Sequence, residues 1–167
     1  MTSKELLIHQ LKMLLEWTDG PARDLADKPL VFPTPTGGNH PTWNMGHLAY
    51  AERNMLNMIT GEENPHKAWA STLGIGSEPT ANADDYPPYE ELMQAFFDAR
   101  ERTLEVLEAM TDEELHGPLK NPPPPHPNSP DISSCAMVFS IIVMHGSIHL
   151  GQLLDCRRAD GRPPRAA

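Results

Sequence analysis

The 167-residue sequence is poor in cysteine and in basic residues, and each shortage excludes a class of protein. The only two cysteines, Cys135 and Cys156, fall in one predicted helix, about 30 Å apart at 1.5 Å per residue, which is too far for a disulfide. Unpaired thiols indicate a reducing compartment, so we expect a cytoplasmic protein. With 13 lysines and arginines against 23 aspartates and glutamates, the net charge is −10 and argues against nucleic-acid binding. The one basic cluster is typical of cations at a helix C-terminus and comprises Arg157, Arg158, Arg162 and Arg165.

Membrane and repeat signals are also missing. The N-terminal segment MTSKELLIHQLKMLLEW mixes acidic and polar residues with apolar ones, which predicts no signal peptide. No window approaches the roughly 20 apolar residues of a membrane span, and no repeat or alternating strand pattern stands out. Residues 1–167 have the length of one domain, which can bury a core without a disulfide or a metal. A bound metal would therefore serve chemistry rather than folding.

Apolar residues recur at helical spacing in four stretches that prolines and glycines separate. Ser3 is the expected N-cap of the first helix, Pro41 suits the first turn of the second, and Gly61 suits its end. The segment TDEEL at 111–115 predicts a capping box that opens one further turn. The sequence therefore predicts an all-α four-helix bundle with helices at about 3–26, 41–60, 88–110 and 131–159.

Two of the predicted connections are unusual. The long acidic loop 61–88 is either a lid over a binding site or a plain crossover, because loops of this length are often functional. The proline-rich linker 117–131 is expected to be a stiff, polyproline-like spacer.

Histidines occupy core positions in two of the helices. In the last helix, the inward-facing positions are three and four residues apart. The earlier ones are apolar, and later ones are His145 and His149, which lie four residues apart on one face. His47 holds the corresponding position in the second helix. Neutral imidazoles favour a divalent transition metal, Zn or Ni first and Fe also allowed, and three ligands leave open positions for a substrate. We therefore predict a three-histidine metal site.

Amides and glycines accompany these histidines. Gln152 lies one turn beyond His149, and either hydrogen-bonds near the metal or ties its helix to a neighbour. Asn44 and Asn54 share the stripe of His47 and are further pocket candidates. The nearest carboxylate, Glu52, lies off that face. Three glycines inside helices should permit close packing: Gly46, Gly146 and Gly151. The remaining histidines are expected to be solvent-exposed: His9, His40, His66, His116 and His126.

Two segments resemble the signatures of the DinB/YfiT-like metalloenzyme family of the DinB superfamily. They are TWNMGHLAYAE at 42–52 and HGSIHLGQL at 145–153. The resemblance implies an up-down-down-up bundle, a homodimer in many members, and a divalent metal held by His47, His145 and His149. Characterised relatives are transferases and isomerases that use bacillithiol or mycothiol.

Three functions remain open after this resemblance. The leading hypothesis is a metal-dependent enzyme of the thiol S-transferase type, in which a low-molecular-weight thiol attacks a small-molecule substrate. One alternative is a metal-dependent hydrolase, which needs a general base. The other is a non-catalytic metal- or ligand-binding bundle of a stress response.

Overall fold

The computed structural model describes residues 1–124 and 132–163, and these residues form helices and connections without a β-strand. This confirms the all-α class that the hydrophobic spacing predicted. Four long helices carry the core, and two short helices lie in the connections. The six are α1 (Ser3–Asp24), α2 (Pro41–Thr60), α3 (Ala70–Leu73), α4 (Tyr89–Ala109), α5 (Asp112–His116) and α6 (Cys135–Ala159).

Three helix boundaries follow local signals and match the prediction. Pro41 opens α2, where a missing N–H costs nothing because the first amides of a helix have no partner. Gly61 ends the same helix at a φ of 78°, a left-handed conformation that glycine adopts without strain. Thr111 and Glu114 form the predicted capping box at the start of α5.

Two helix starts differ from the prediction. The N-cap of α1 is Thr2 rather than Ser3, because the Thr2 hydroxyl accepts from the Glu5 amide while the Glu5 carboxylate accepts from the Thr2 amide. The last long helix begins at Cys135 rather than at about residue 131, since the Ser134 hydroxyl caps it. In both cases a side-chain oxygen that satisfies free amides decides the boundary.

Each long helix packs mainly against two others, with α1 and α2 each lying against both α4 and α6. At one end of the bundle the Tyr89 hydroxyl donates to the Ala22 carbonyl at 2.8 Å. Arg157 of α6 donates to Asp24 at the end of α1, at 2.7 Å. The four helices enclose an apolar interior, into which α1 places its predicted stripe of Leu7, Leu11, Leu14 and Thr18.

The buried apolar side chains form two clusters. The first includes Trp43, Leu73 and Phe96 and lies around the histidine-bearing turn of α2. The second draws on the starts of α1 and α6 and the ends of α2 and α4, and includes Leu107 and Phe139. The first cluster surrounds the candidate site, and the second is the region in which packing can be altered without touching it.

The connection 61–88 packs along α2. It contains α3 and two 3-10 turns, Lys67–Trp69 and Ala83–Asp85. Leu73 is fully buried, whereas Ile75, two residues later, is 91% exposed. The Trp43 indole N–H donates to the Ser77 hydroxyl at 3.0 Å. The segment thus has firm anchors on α2 on both sides of an exposed tip.

The proline-rich linker 117–131 lies only partly within the structure, since residues 125–131 are outside the described residues. Its described part, 117–124, is not helical. The Asn121 amide donates to the Met58 carbonyl at 3.1 Å, and the Cys135 amide donates to the Gly117 carbonyl at 3.2 Å. The described part of the linker is therefore tied to the end of α2 and the start of α6.

The expectation that no segment has the length and apolarity of a membrane span was wrong, because helix α6 has both. It has 25 residues, and its most apolar 18-residue window has a mean hydropathy of 1.5. The reason is that no Asp, Glu, Lys or Arg stands between Cys135 and Leu154. It meets this criterion by length and composition alone, and its inner face is buried against α1 and α2.

The cysteines lie near the two ends of α6, as predicted. Both are buried and unpaired. Burial raises the pKa of the Cys156 thiol to about 12, and burial also raises the pKa of Cys135. Arg157 and Arg158 occupy the last turn of α6, where cations were expected, whereas Arg165 lies outside the described residues.

Candidate metal centre

Three histidine side chains converge between α2 and α6. The Nε2 atom of His145 lies 3.1 Å from Nε2 of His47 and 3.0 Å from Nε2 of His149. His47 and His149 are each 5% exposed, and His145 is partly buried. The three predicted ligands are thus brought together, with one ring nitrogen from each within 4.8 Å of the others.

Backbone geometry explains this convergence. His145 and His149 are one turn apart on α6, so their side chains project from the same face. His47 projects from the facing side of α2, which packs against α6. No residue with a strained backbone is needed, since no described non-glycine residue has a positive φ.

The hydrogen bond at Nδ1 fixes the tautomer of His47. This atom lies 2.7 Å from the carbonyl oxygen of Leu73, which can only accept, so Nδ1 carries the proton and Nε2 presents a lone pair. The Trp43 ring stacks on the imidazole at 4.3 Å between centroids and 11° between planes. The bond and the stacked ring together fix the orientation of the imidazole.

Two side-chain amides fix His149 in the same way. Its Nδ1 lies 2.7 Å from Oδ1 of Asn44 and 2.9 Å from Oε1 of Gln152. The main-chain carbonyl of Asn39 accepts from Nδ2 of Asn44 at 2.7 Å, which turns Oδ1 of Asn44 toward His149. The side-chain Nδ2 of Asn39 donates to Oε1 of Gln152 at 3.0 Å. Two oxygens facing Nδ1 place the proton there, which leaves Nε2 as a lone pair.

The cluster therefore has more acceptors than donors at its centre. His47 and His149 both direct lone pairs at His145, which has one Nε2 proton at most and cannot satisfy both. A cation among the three Nε2 atoms satisfies all of them, and ligands 2.0–2.1 Å from a tetrahedral ion stand about 3.3 Å apart, close to the observed separations. The donor set thus fits a divalent transition metal.

Burial keeps these imidazoles neutral. It lowers the pKa of His149 to about 3, with repulsion from charge on His145 and His47 as the next cause. Burial also lowers the pKa of His145 to about 4, assisted by charge on His47 and Arg100, and it lowers the pKa of His47. Neutral imidazole is the form that binds metal, so the ligands need no deprotonation at pH 7.

The other predicted polar residues divide into two groups. Asn44 and Gln152 contact His149, and Gln152 also ties α6 to Asn39, which is the packing role predicted for it. Asn54 instead accepts from Asn64 at 2.9 Å and anchors the connection 61–88. Asn54 makes no hydrogen bond to the histidines in the described residues.

Several residues of the site gave a weak signal or none in the sequence. The Leu73 partner is a backbone carbonyl, which no residue type reveals. Asn39 lies outside the helices, before α2. Trp43 stands four residues before His47 on the same helix face, and that spacing was a usable signal.

Two of the three helical glycines serve close packing, as expected. A Cβ at Gly46 would lie 2.6 Å from Cδ1 of Leu73, and one at Gly146 would lie 2.6 Å from Cδ2 of Leu14. Gly151 differs, because no atom lies within 4 Å of a Cβ placed there. The expectation of a close approach at Gly151 was wrong.

A buried ion pair lies beside the histidines. Arg100 of α4, 0% exposed, donates from Nε and Nη2 to the two oxygens of Glu52 at 2.8 and 2.9 Å. The Thr103 hydroxyl donates to Glu52 at 2.6 Å, and Nη1 of Arg100 donates to the Leu11 carbonyl at 3.3 Å. Glu52 is off the ligand face, as predicted, and both of its oxygens are engaged.

His40 was predicted to be solvent-exposed, but it is buried. It is 0% exposed, its Nδ1 accepts from the Trp43 amide as the N-cap of α2, and its Nε2 donates to the Thr80 carbonyl at 2.9 Å. Asn, Asp, Ser and Thr are the usual N-caps, so a histidine in this role was not anticipated. His66 is partly buried and stacks on Trp69 at 4.1 Å.

The described residues form helices without a strand and bring three histidines together, which defines the class of helical proteins with a candidate metal site. Comparison with protein families identifies the family. The model of the DinB superfamily matches residues 10–153, and the chain belongs to that superfamily. A search of the curated proteins found no match to the chain.

Proposed function

We propose that this protein is a divalent-metal-dependent enzyme of the thiol S-transferase type that acts on a small molecule. The observation that carries the proposal is the convergence of three histidine Nε2 atoms, with the rings of His47 and His149 fixed by partners at Nδ1. His47, His145 and His149 would hold the metal, with Zn or Ni preferred and Fe allowed. A metal bound there would lower the pKa of a low-molecular-weight thiol, so that thiolate is available at pH 7.

The surroundings of the site support a thiol rather than water as the nucleophile. Metal-assisted hydrolysis benefits from a general base within hydrogen-bond reach of the attacking water. Glu52 is the nearest carboxylate in sequence to His47, and Arg100 and Thr103 occupy its oxygens. The hydrogen-bond partners of Nδ1 of His47 and His149 are a carbonyl and two amides, which are not bases. A thiol with a lowered pKa needs no such base.

One observation favours the non-catalytic alternative, a metal- or ligand-binding bundle. His47 and His149 are each only 5% exposed, so protein would enclose most of a metal held by the three histidines. A substrate would have to approach along the exposed side of His145, which is the least buried of the three. Exchangeable ligands on the metal would support an enzyme, and a fully occupied coordination sphere would support a binding protein.

Elemental analysis with a substrate panel tests the proposal. We expect about one divalent metal per chain in the wild-type protein and little in His145→Ala, with His116→Ala as a surface control that retains the metal. Equal metal content in wild type and His145→Ala would refute the site. Turnover of electrophiles only with added thiol supports the transferase, turnover of esters without thiol supports the hydrolase, and no turnover with bound metal supports the binding protein.

We also propose that the four long helices run up-down-down-up. Contacts between helix ends support this arrangement. Lys4 donates to the Glu108 carbonyl at 2.8 Å, which places the start of α1 at the end of α4. Asn39, just before α2, bonds to Gln152 near the end of α6, and Asp24 pairs with Arg157 at the ends of α1 and α6. An experimental structure tests this arrangement, because it shows the relative directions of the four long helices.

We propose further that the protein is a cytoplasmic homodimer that binds neither nucleic acid nor membrane. Trp17 on α1 and Met144 and Ile148 on α6 are 55–61% exposed, on helices that pack together. Exposed apolar residues on neighbouring helices are typical of an interface. We expect Ile148→Glu to yield monomers by light scattering, while Ile75→Glu, on the exposed tip of 61–88, leaves the mass unchanged. A monomeric wild-type protein would refute the dimer.

A further inference from the structure

We propose that Arg100 is a positioning residue for the histidine cluster: held by Glu52, it supports the turn of α6 that carries His145. This inference rests on the proposed metal site. It also makes a claim about the protein without metal, and that claim can be tested by itself.

Arg100 hydrogen-bonds two of the other long helices from the centre of the bundle and lies close to the third. It donates to Glu52 of α2 through two nitrogens and to the Leu11 carbonyl of α1 through the third. On the side of α6, a Cβ added to Gly146 would lie 3.4 Å from its Nη2 atom. The guanidinium is planar with its donors in a fixed fork, so these contacts fix the helix spacing with little freedom.

The contact with α6 falls directly beside a ligand. Gly146 follows His145 in the chain, its missing side chain lets the backbone lie against Leu14, and Nη2 of Arg100 lies 3.4 Å from the position that a Cβ would take there. A smaller or differently shaped side chain at residue 100 would let this turn move inward. Metal sites require their ligands within about 0.5 Å of the productive position, so a modest movement changes the separation of the Nε2 atoms.

Stability alone does not account for an ion pair at this place. Burial of two charges costs free energy that their attraction only partly offsets, and well-packed apolar replacements are often as stable or more so. In some proteins a buried polar or ionic group instead defines the register between the elements that it joins, and we infer the same for this pair. Here those elements are α2 and α4, and α2 also carries His47.

Co²⁺ affinity separates a positioning role from a merely structural one. We would measure Co²⁺ binding by chelator competition at pH 7.5 for wild type, Arg100→Met and Arg100→Lys. Leu107→Ala is the matched control, because Leu107 is fully buried in the second apolar cluster and its loss lowers stability without touching the site. We expect both Arg100 variants to bind about tenfold more weakly or worse, and Leu107→Ala to bind as wild type does.

Arg100→Lys keeps the test decisive if Arg100→Met does not fold. Lysine retains a positive charge for Glu52, but its single nitrogen cannot also reach the Leu11 carbonyl and lie beneath Gly146. Wild-type Co²⁺ affinity in the folded Arg100 variants would overturn the inference and leave the proposed metal site intact. The same loss of affinity in Leu107→Ala would also overturn it, since the effect would then follow stability.

A wild-type protein that binds no Co²⁺ would refute the proposed function, and the metal-free protein then decides the inference. In crystals of the metal-free proteins we expect the 3.1 Å separation of His47 and His145 Nε2, which joins α2 and α6, to change in Arg100→Lys relative to wild type. An unchanged separation would overturn the positioning role.

Discussion

The substitution Gly46→Ala tests the packing that fixes His47. A Cβ at residue 46 would lie 2.6, 2.9 and 3.2 Å from three side-chain carbons of Leu73, whereas carbon contacts are normally about 3.5–4.0 Å. Leu73 is fully buried, so it cannot move aside freely. Such overpacking costs about 1–3 kcal/mol, against about 1 kcal/mol gained from replacing a helical glycine by alanine. We therefore expect a net loss of stability of up to about 2 kcal/mol.

Gly151→Ala is the matched control for this prediction. It makes the same chemical change in a helix but meets no atom within 4 Å, so it should stabilise the protein by about 1 kcal/mol. Urea unfolding of the metal-free proteins measures both. Gly46→Ala should also weaken metal binding, because the displaced Leu73 carries the carbonyl that orients His47. Equal stability of the two variants would refute the reasoning.

Three further predictions concern the titratable and polar groups. Because burial lowers the pKa of His145 to about 4 and that of His149 to about 3, the unfolded chain takes up these protons first. The stability of the metal-free protein should therefore fall between pH 6.5 and 4, by up to about 1.4 kcal/mol per pH unit for each of the two histidines; a flat profile of urea midpoints would contradict this. Asn44→Leu removes an acceptor from His149 and should weaken Co²⁺ binding about 10- to 100-fold; unchanged binding would show that Gln152 suffices. Cys135 and Cys156 are buried with raised pKa values, so a thiol reagent at pH 8 should label them only after unfolding.

The sequence predicted the histidine cluster because helical spacing is a strong constraint. Once His145 and His149 are placed on the inner stripe of one helix and His47 on that of another, packing of the two helices brings them together. The helix boundaries at Pro41 and Gly61 were equally accessible, since each depends on the conformational preference of a single residue.

The partners of the ligands could not be predicted in the same way. The Leu73 carbonyl approaches His47 only because the connection 61–88 folds back along α2, and Asn39 bonds to a residue 113 positions away. The pairing of Glu52 with Arg100 likewise depends on the relative rotation of two helices. His40 was misjudged because its burial results from contacts with Phe32 and Tyr86 that the local sequence does not encode.

The two fixed histidines differ in how mutation can reach them. The partner of His47 is the main-chain oxygen of Leu73, which every amino acid possesses, so no substitution at residue 73 deletes the acceptor itself. The partners of His149 are side chains, and a single codon change at Asn44 or Gln152 removes one. The acceptor of His47 is therefore robust to mutation at the residue that carries it, whereas the acceptors of His149 are evolvable. Divergence within the superfamily can retune the basicity of His149 while the main-chain acceptor of His47 is retained.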